Sequence, residues 1–412
     1  MDSASAAQPP CATPRSPPAS TDSSAAFGPA IFALSVGAFA IGTGEFVVMG
    51  LLPEMARDLG VTIPEAGHVI SAYALGVVIG APVLAVLAAH WKRRTPLVIT
   101  MALFAIGNVA SAAAPSYLTL NLLRFIAGLP HGTYFGVAAL VAAALAPPAR
   151  RASAVALVLS GLTIATLLGV PLAAWMGQFL GWRAAFVLVG GIAVLTCVLV
   201  RRYVPNLDAP HGASPLRELG ALAKPQVWLT LGIGAIGFGG MFSVFSYVKP
   251  MLTEVTGLSV SAVPLVLALF GLGMVVGNLV GARLADKSLM RTVAGVLVWT
   301  AAVLSAIAFT APYVPAMTVN VFLVGTLVAI GPALQIRLMD VAGHAQTLAA
   351  ALHHSAFNIA NALGAWLGGV AIAAGLGWTS PGWVGALLSL GGLVVFCLAV
   401  WQDRRSRSAS RA

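Results

Sequence analysis

Charge is scarce in this chain. Its 412 residues include 22 Lys or Arg and 12 Asp or Glu, together 8% of the total, against about 25% in an ordinary soluble domain. So few charges cannot cover a soluble fold of this length, and the water-soluble classes drop out. Acidic residues are the scarcer kind, leaving a formal net charge of +10. That excess does not predict a nucleic-acid partner. The basic residues sit in short loops between long apolar stretches, where a membrane protein keeps them. Cysteine is nearly absent: Cys11, Cys197 and Cys397 have no framework spacing and form no C-x-x-C, so they read as small hydrophobes. No Walker A loop is present to bring in ATP, and no H-E-x-x-H or carboxylate cluster to hold a metal. His353-His354 lacks partner acids. No enzymatic reaction, cofactor or metal is expected.

What the chain has is apolar length, with 59% hydrophobic residues. A bilayer core of ~30 Å takes roughly 20 apolar residues per helix. Twelve such runs can be read, near 28–51, 67–89, 96–114, 118–146, 153–176 and 184–203, then near 227–250, 262–284, 291–311, 314–336, 346–374 and 381–402. The expected fold class is therefore all-α integral membrane, with twelve transmembrane helices. With the N-terminus placed inside, 18 of the 22 Lys and Arg fall in the tails and even-numbered loops; Arg57, Arg183 and Lys249 fall outside and Arg124 within the membrane. That asymmetry predicts both termini in the cytoplasm.

The longest loop, 204–226, divides the spans six and six, and the halves echo each other at an offset of about 196. Pro53 matches Pro250, Leu180-Gly181-Trp182 matches Leu376-Gly377-Trp378, and Ala89-His90 matches Asp286-Lys287. The expected organisation is a disordered tail over 1–26, a bundle over 27–203, a linker over 204–226, a second bundle over 227–402 and a basic tail over 403–412. Composition alone also allows a channel or a membrane enzyme. A duplicated six-span bundle favours an alternating-access transporter with a central site.

Glu45 and Arg124 are the charged residues placed well inside apolar runs. Each costs at least ~2.5–3.5 kcal/mol to insert, which makes each a functional candidate. Counted from the outer boundary, both lie roughly 10 Å deep at 1.5 Å per residue. An apolar wall favours the neutral form of a carboxyl and a nearby guanidinium the ionised form. Relative movement of the two would switch proton occupancy; a fixed structural pair is the alternative. His131, two turns past Arg124, is a further candidate for proton handling or for bonding backbone freed by Pro130. Phe46, Met49, Tyr134, Phe242, Phe245 and Tyr247 are candidates for lining a substrate cavity. So are Asn320, the repeat counterpart of Arg124, and Asn358, in a polar cluster with His353, His354 and Asn361. Glu45 has Phe242 as its counterpart, so proton handling is expected in the first half.

GTGEFVVMGLLPEMARDLGV at 42–61, RFIAGLPHGTYFGVAALVAA at 124–143, LLGVPLAAWMGQFLGWRAAF at 167–186 and HHSAFNIANALGAWLGG at 353–369 resemble the drug:proton antiporter branch of the major facilitator superfamily. Within it they look like the arabinose-efflux-permease-like and chloramphenicol-resistance-like members. The resemblance covers about residues 28–402. It implies two pseudo-symmetric six-helix bundles and export of small molecules, drugs or metabolites, against proton influx. The proton gradient would be the energy source, at the bacterial inner membrane. Partners would be the substrate, protons and the lipid bilayer, and the chain is expected to be a monomer. Sugar efflux, an uncoupled facilitator and a transporter-derived sensor are the alternatives. It implies a proton-coupling role for Arg124, with Gly128 in the same motif, and an antiporter motif carried by Gly161, Gly169, Val170 and Pro171. In the family's loop motif Arg93 and Arg94 match, but Ala89 replaces the expected Asp. The copy after span 8 keeps Asp286-Lys287 and is expected to carry the gating charge.

Overall fold

In the computed structural model, residues 22–169, 172, 175–176, 179–209 and 214–409 are described. Among them, twelve helices are long and apolar enough to cross a membrane. We label the helices that carry them α1 (Asp22–Leu59), α2 (Ile63–Leu87), α3 (Arg94–Ala112), α4 (Tyr117–Leu145), α5 (Pro148–Gly169), α6 (Trp182–Tyr203), α7 (Pro225–Phe245), α8 (Val263–Lys287), α9 (Leu289–Thr310), α10 (Val314–Ala342), α11 (Gln346–Leu376) and α12 (Ser380–Ala409). Lipid offers backbone groups no hydrogen bonds, so each run satisfies its own as a helix. Where a helix begins within reach of water, side chains take over: Thr62 and Glu65 form a reciprocal capping box at the start of α2.

α1 is longer than expected at both ends. It starts at Asp22, inside the segment read as a tail, and continues past Pro53 to Leu59. Residues 54–59 are mostly good helix formers and carry the helix on. α7 likewise does not run to Pro250: it stops at Phe245, and a short helix resumes at Val248–Pro250.

The repeat is physical. Built on Gly76, a Cβ would strike the Phe125 carbonyl, and on Gly128 the Tyr73 carbonyl. The counterparts 197 residues on do the same: Gly273 faces the Phe322 carbonyl and Gly325 the Phe270 carbonyl. Small residues let α2 press against α4, and α8 against α10, backbone to backbone. α4 is interrupted between Gly128 and His131, at Pro130, and α10 at the corresponding Thr326–Ala329 turn. The first half has a core that includes Leu34, Met101, Phe104 and Phe135; that of the second, including Phe270, Leu304, Leu334 and Met339, extends across the interface to Leu140 and Val155.

Candidate functional site

The halves meet at the end that carries both termini. Gly136 on α4 leaves room for the backbone of Ala351 on α11. Ser355 Oγ donates to the Val78 carbonyl at 3.4 Å, which lacks its usual helical partner because Pro82 has no N–H. Asn278 on α8 donates to the Ala156 carbonyl (2.8 Å) and to Ser160 Oγ (3.2 Å) on α5. Asp286, at the end of α8, accepts from the Ala152 N–H at 2.8 Å, the Ser153 N–H at 3.0 Å and the Ser153 hydroxyl. It is thus a carboxylate capping the N-terminal turn of a helix in the other half, where the helix dipole favours negative charge. Arg151 pairs with Asp340 at 2.9 Å on the same end.

The linker straps this end. Arg93 is buried; its amide donates to the Leu207 carbonyl and its guanidinium to Thr347 Oγ1, at 2.8 and 2.9 Å. Burial pulls the Arg93 guanidinium below its usual basicity, and the Glu218 carboxylate opposes that shift. Glu218 comes from the short linker helix Pro215–Leu219, is itself buried, and accepts the Leu348 N–H at the start of α11 at 2.9 Å. Ala89, where the loop motif lacks its acid, is fully buried. The negative charge beside Arg93 comes from the linker instead. Lys224 adds a bond to the Ala342 carbonyl at 2.7 Å.

Above these contacts lies a central cavity of about 420 Å³, within the ~300–1,000 Å³ usual for small-molecule sites. Met49 and Pro264, at the rim away from the termini, are exposed, so the cavity opens on that face and is closed at the other. Its wall is mostly apolar, with Phe, Leu and Met side chains from both halves, including Phe46, Phe238, Phe242, Phe245, Phe270 and Phe357, and it also carries polar side chains such as Thr163, Thr166, Asn278 and Asn361. Glu45 is the charged residue on the lining, among the described residues. His131, His353 and His354 lie toward the closed end, with ring centroids 5.5 Å apart for His131 and His354 and 5.2 Å for His353 and His354. These histidines come from α4 and α11, so the cluster spans the two halves.

Arg124 is fully buried beside the cavity. Its Nη2 donates to the Gly44 carbonyl at 2.8 Å and its Nη1 to Asn108 Oδ1 at 3.3 Å. The guanidinium lies 4.3 Å from the ring centre of Tyr73 and 5.3 Å from that of Phe186, a cation–π setting that holds a cation away from water. Arg124 and Glu45 are therefore at matching depth, but no ion pair joins them. Arg124 grips the backbone one residue before Glu45, and the carboxylate faces the cavity. Tyr73 extends this set, because its hydroxyl meets His131 Nδ1 at 3.0 Å. His131 thus connects to Arg124 through Tyr73, across the break in α4.

The structure brings together on the lining Glu45, His131, Phe46, Met49, Phe242, Phe245 and Asn358. It corrects three cavity assignments. Tyr134 is buried within the first half and donates to the Leu34 carbonyl. Tyr247 packs on Gly368 and Gly369 and donates to the Ala365 carbonyl. Asn320 is buried and donates to the Val303 carbonyl. Each donates a hydrogen bond to a neighbouring helix backbone, which turns it from the cavity. Arg94 donates to the Arg201 carbonyl within its own half rather than across the interface. Gly161 abuts the Ser35 carbonyl, and Gly169 abuts Thr43 and Phe39, bringing α5 onto α1. Val170 and Pro171 lie outside the described residues. Tyr73, Asn108, Thr347, Asn278 and Glu218 were missed, because a Tyr, Asn or Thr in an apolar run, or a Glu in a loop, carries no distinguishing local pattern.

On the rim face, Asp58 near the end of α1 accepts from Trp182 Nε1 at 3.0 Å and from the Arg183 guanidinium on α6. The Arg183 and Trp182 hydrogen bonds hold its carboxyl below the usual range.

Comparison with known proteins agrees with this architecture. A family model described as Major Facilitator Superfamily matches residues 34–343 and 231–412. Escherichia coli (strain K12) has a relative named inner membrane transport protein YdhP, 41% identical over 372 residues, covering 90% of this chain and 95% of that protein. A Streptomyces lividans chloramphenicol resistance protein is 34% identical over 375 residues, covering 89% of this chain and 94% of that protein. Among solved structures, the proton:xylose symporter XylE bound to 6-bromo-6-deoxy-D-glucose matches with a TM-score of 0.72 at 17% identity, over 92% of this chain and 96% of that one.

Proposed function

The chain belongs to the major facilitator superfamily, a family of membrane transport proteins rather than enzymes, and we propose that it is a proton-coupled exporter of small amphipathic compounds working by alternating access. One observation carries the reading: an apolar cavity between the halves, open at one end, whose lining bears, among the described residues, a single carboxylate beside an arginine anchored to that carboxylate's own helix. Glu45 is the proton carrier. When its carboxylate faces the open cavity, it exchanges protons and meets substrate. Rocking the halves about the site moves the second-half wall of the cavity over Glu45, changing its access to water while Arg124 stays anchored to the Gly44 carbonyl, so protonation and substrate occupancy alternate. His131, held by Tyr73, is positioned to relay a proton toward the closed end. The aromatic and Met lining suits an amphipathic drug or metabolite better than a sugar, which needs a wall of hydrogen-bonding groups. The relative named for chloramphenicol resistance supports a drug-like substrate, and the relative named as an inner membrane protein supports that location. Lys and Arg on the closed end support a cytoplasmic location for that end, and with that orientation this conformation is outward-facing.

The test has two stages. A panel of toxic compounds and sugars is applied to efflux-deficient cells with and without the gene. A compound that accumulates less with the gene is then followed in proteoliposomes under an imposed proton gradient. Gradient-driven uptake is expected in the wild type. In Glu45→Gln it is expected to be lost while substrate exchange persists. Wild-type gradient-driven uptake in Glu45→Gln would sink the coupling role, and unchanged accumulation across the panel would sink export.

A further inference from the structure

Outside the central cavity, α8, α9 and α10 bound a second slot of about 580 Å³. Val276, Val280, Leu284 and Trp299 on its walls are exposed, and on membrane-spanning helices that means exposed to lipid. Lys287, at the end of α8, and Arg291, in the first turn of α9, form its mouth on the face that carries the termini. Both are exposed and, among the described residues, neither has a hydrogen bond or ion pair. The neighbouring Asp286 does not neutralise them, since it is engaged with Ala152 and Ser153 across the interface.

The interior is open for a definite reason. A Cβ built on Gly295 would have nothing within 4 Å. Trp299 is fixed by a bond from its Nε1 to Thr326 Oγ1 at 3.0 Å, which keeps the indole as a wall. The repeat shows that the fold does not require this. At the offset of 197, Arg291 corresponds to Arg94, whose guanidinium is used on the Arg201 carbonyl. Gly295 corresponds to Val98, whose side chain packs against the first-half core. The second half has left two cations unengaged and removed a side chain beneath them.

We propose that this slot binds an anionic glycerophospholipid of the surrounding leaflet, with its phosphate between Lys287 and Arg291 and an acyl chain along Gly295 and Trp299. Basic pockets between membrane helices take anionic headgroups by this charge complementarity. The assignment is independent of the transported substrate. The test is native mass spectrometry of the purified full-length protein titrated with phosphatidylglycerol or with phosphatidylcholine of the same acyl chains. The variants are Lys287→Gln with Arg291→Gln, Gly295→Phe, and Lys249→Gln as a distant exposed cation. Wild type is expected to retain phosphatidylglycerol preferentially. The double variant should lose about 30-fold of that preference, from about 1 kcal/mol per cation at ~1.4 kcal/mol per tenfold. Gly295→Phe should lose lipid retention with both charges present, and Lys249→Gln should behave as wild type. Equal retention of the two lipids overturns the proposal. Loss in the double variant but not in Gly295→Phe reduces the slot to a surface charge and also overturns it. Full competition by soluble glycerol phosphate would make this a free-phosphate site and overturn the lipid assignment.

Discussion

Asp286→Asn tests how the closed end is held. The substitution keeps the side chain's size and one acceptor oxygen but removes the charge that meets two N–H groups and a hydroxyl of α5. Hydrogen bonds to a charged group contribute about 1.5–3 kcal/mol, and a charge at a helix N-terminus about 0.3–1 kcal/mol. Asp286 is half-buried, and Asn retains part of the bonding, so a loss of about 2–3 kcal/mol is expected. At ~1.4 kcal/mol per tenfold, the closed-to-open ratio at this end falls about 30- to 150-fold. The neighbouring Arg151–Asp340 pair is an internal control, because its side chains are 30% and 41% exposed. Exposed pairs contribute about 0–1 kcal/mol, so Arg151→Gln should move the same ratio less than about fivefold. The readout is the spin-label distance between cysteines placed at His90 and His344, exposed loop residues of the two halves, in a background with Cys11, Cys197 and Cys397 replaced by Ser. Wild type should give one short distance and Asp286→Asn a substantial second, longer population. An unchanged distribution in a folded Asp286→Asn protein, or an equal shift in Arg151→Gln, would refute the charged-cap reasoning.

Glu218→Gln should also open this end, by about 10-fold or more at about 1.5–3 kcal/mol for its bond to the start of α11; no change in the same spin-label distance would show that the linker is only a tether. Gly136→Leu should oppose closure, because even a Cβ there sits 2.7 Å from the Ala351 nitrogen. Overpacking of about 1–3 kcal/mol should lengthen the same distance and slow exchange, whereas wild-type exchange would mean the halves never press together at this point. Arg183→Gln removes the partner that keeps the Asp58 carboxyl low. That contribution is present above the ordinary carboxylate value of about 4 and disappears as the pH falls through the lowered one. The melting difference between wild type and variant should therefore be largest near neutral pH and vanish in acid. It should correspond to less than about 1 kcal/mol, both side chains being more than a third exposed. A difference that grows in acid would reverse the assignment.

Much of the protein is legible in one dimension. Bilayer thickness and the need for self-satisfied backbone fix apolar helix length, so twelve runs in the sequence become twelve spans. Duplication leaves a period that the paired glycines at 76 and 128, and at 273 and 325, turn into the same backbone contact twice. Desolvation makes an intramembrane charge conspicuous, which is why Glu45 and Arg124 stand out from the residue order alone. The tertiary structure decided what those signals leave open, namely which way a side chain points and what it meets from distant chain. Tyr134, Tyr247 and Asn320 had the right residue type and helix for the cavity, but each donates instead to a carbonyl on an adjacent helix. Arg124 bonds the Gly44 carbonyl rather than the adjacent carboxylate, a choice set by how α4 docks on α1. Glu218 takes a place beside Arg93 that the loop motif leaves without its acid, and nothing local to either segment announces it. Hydrophobic period is a property of neighbours along the chain; hydrogen-bond partners and the open side of the cavity are properties of how two halves are docked.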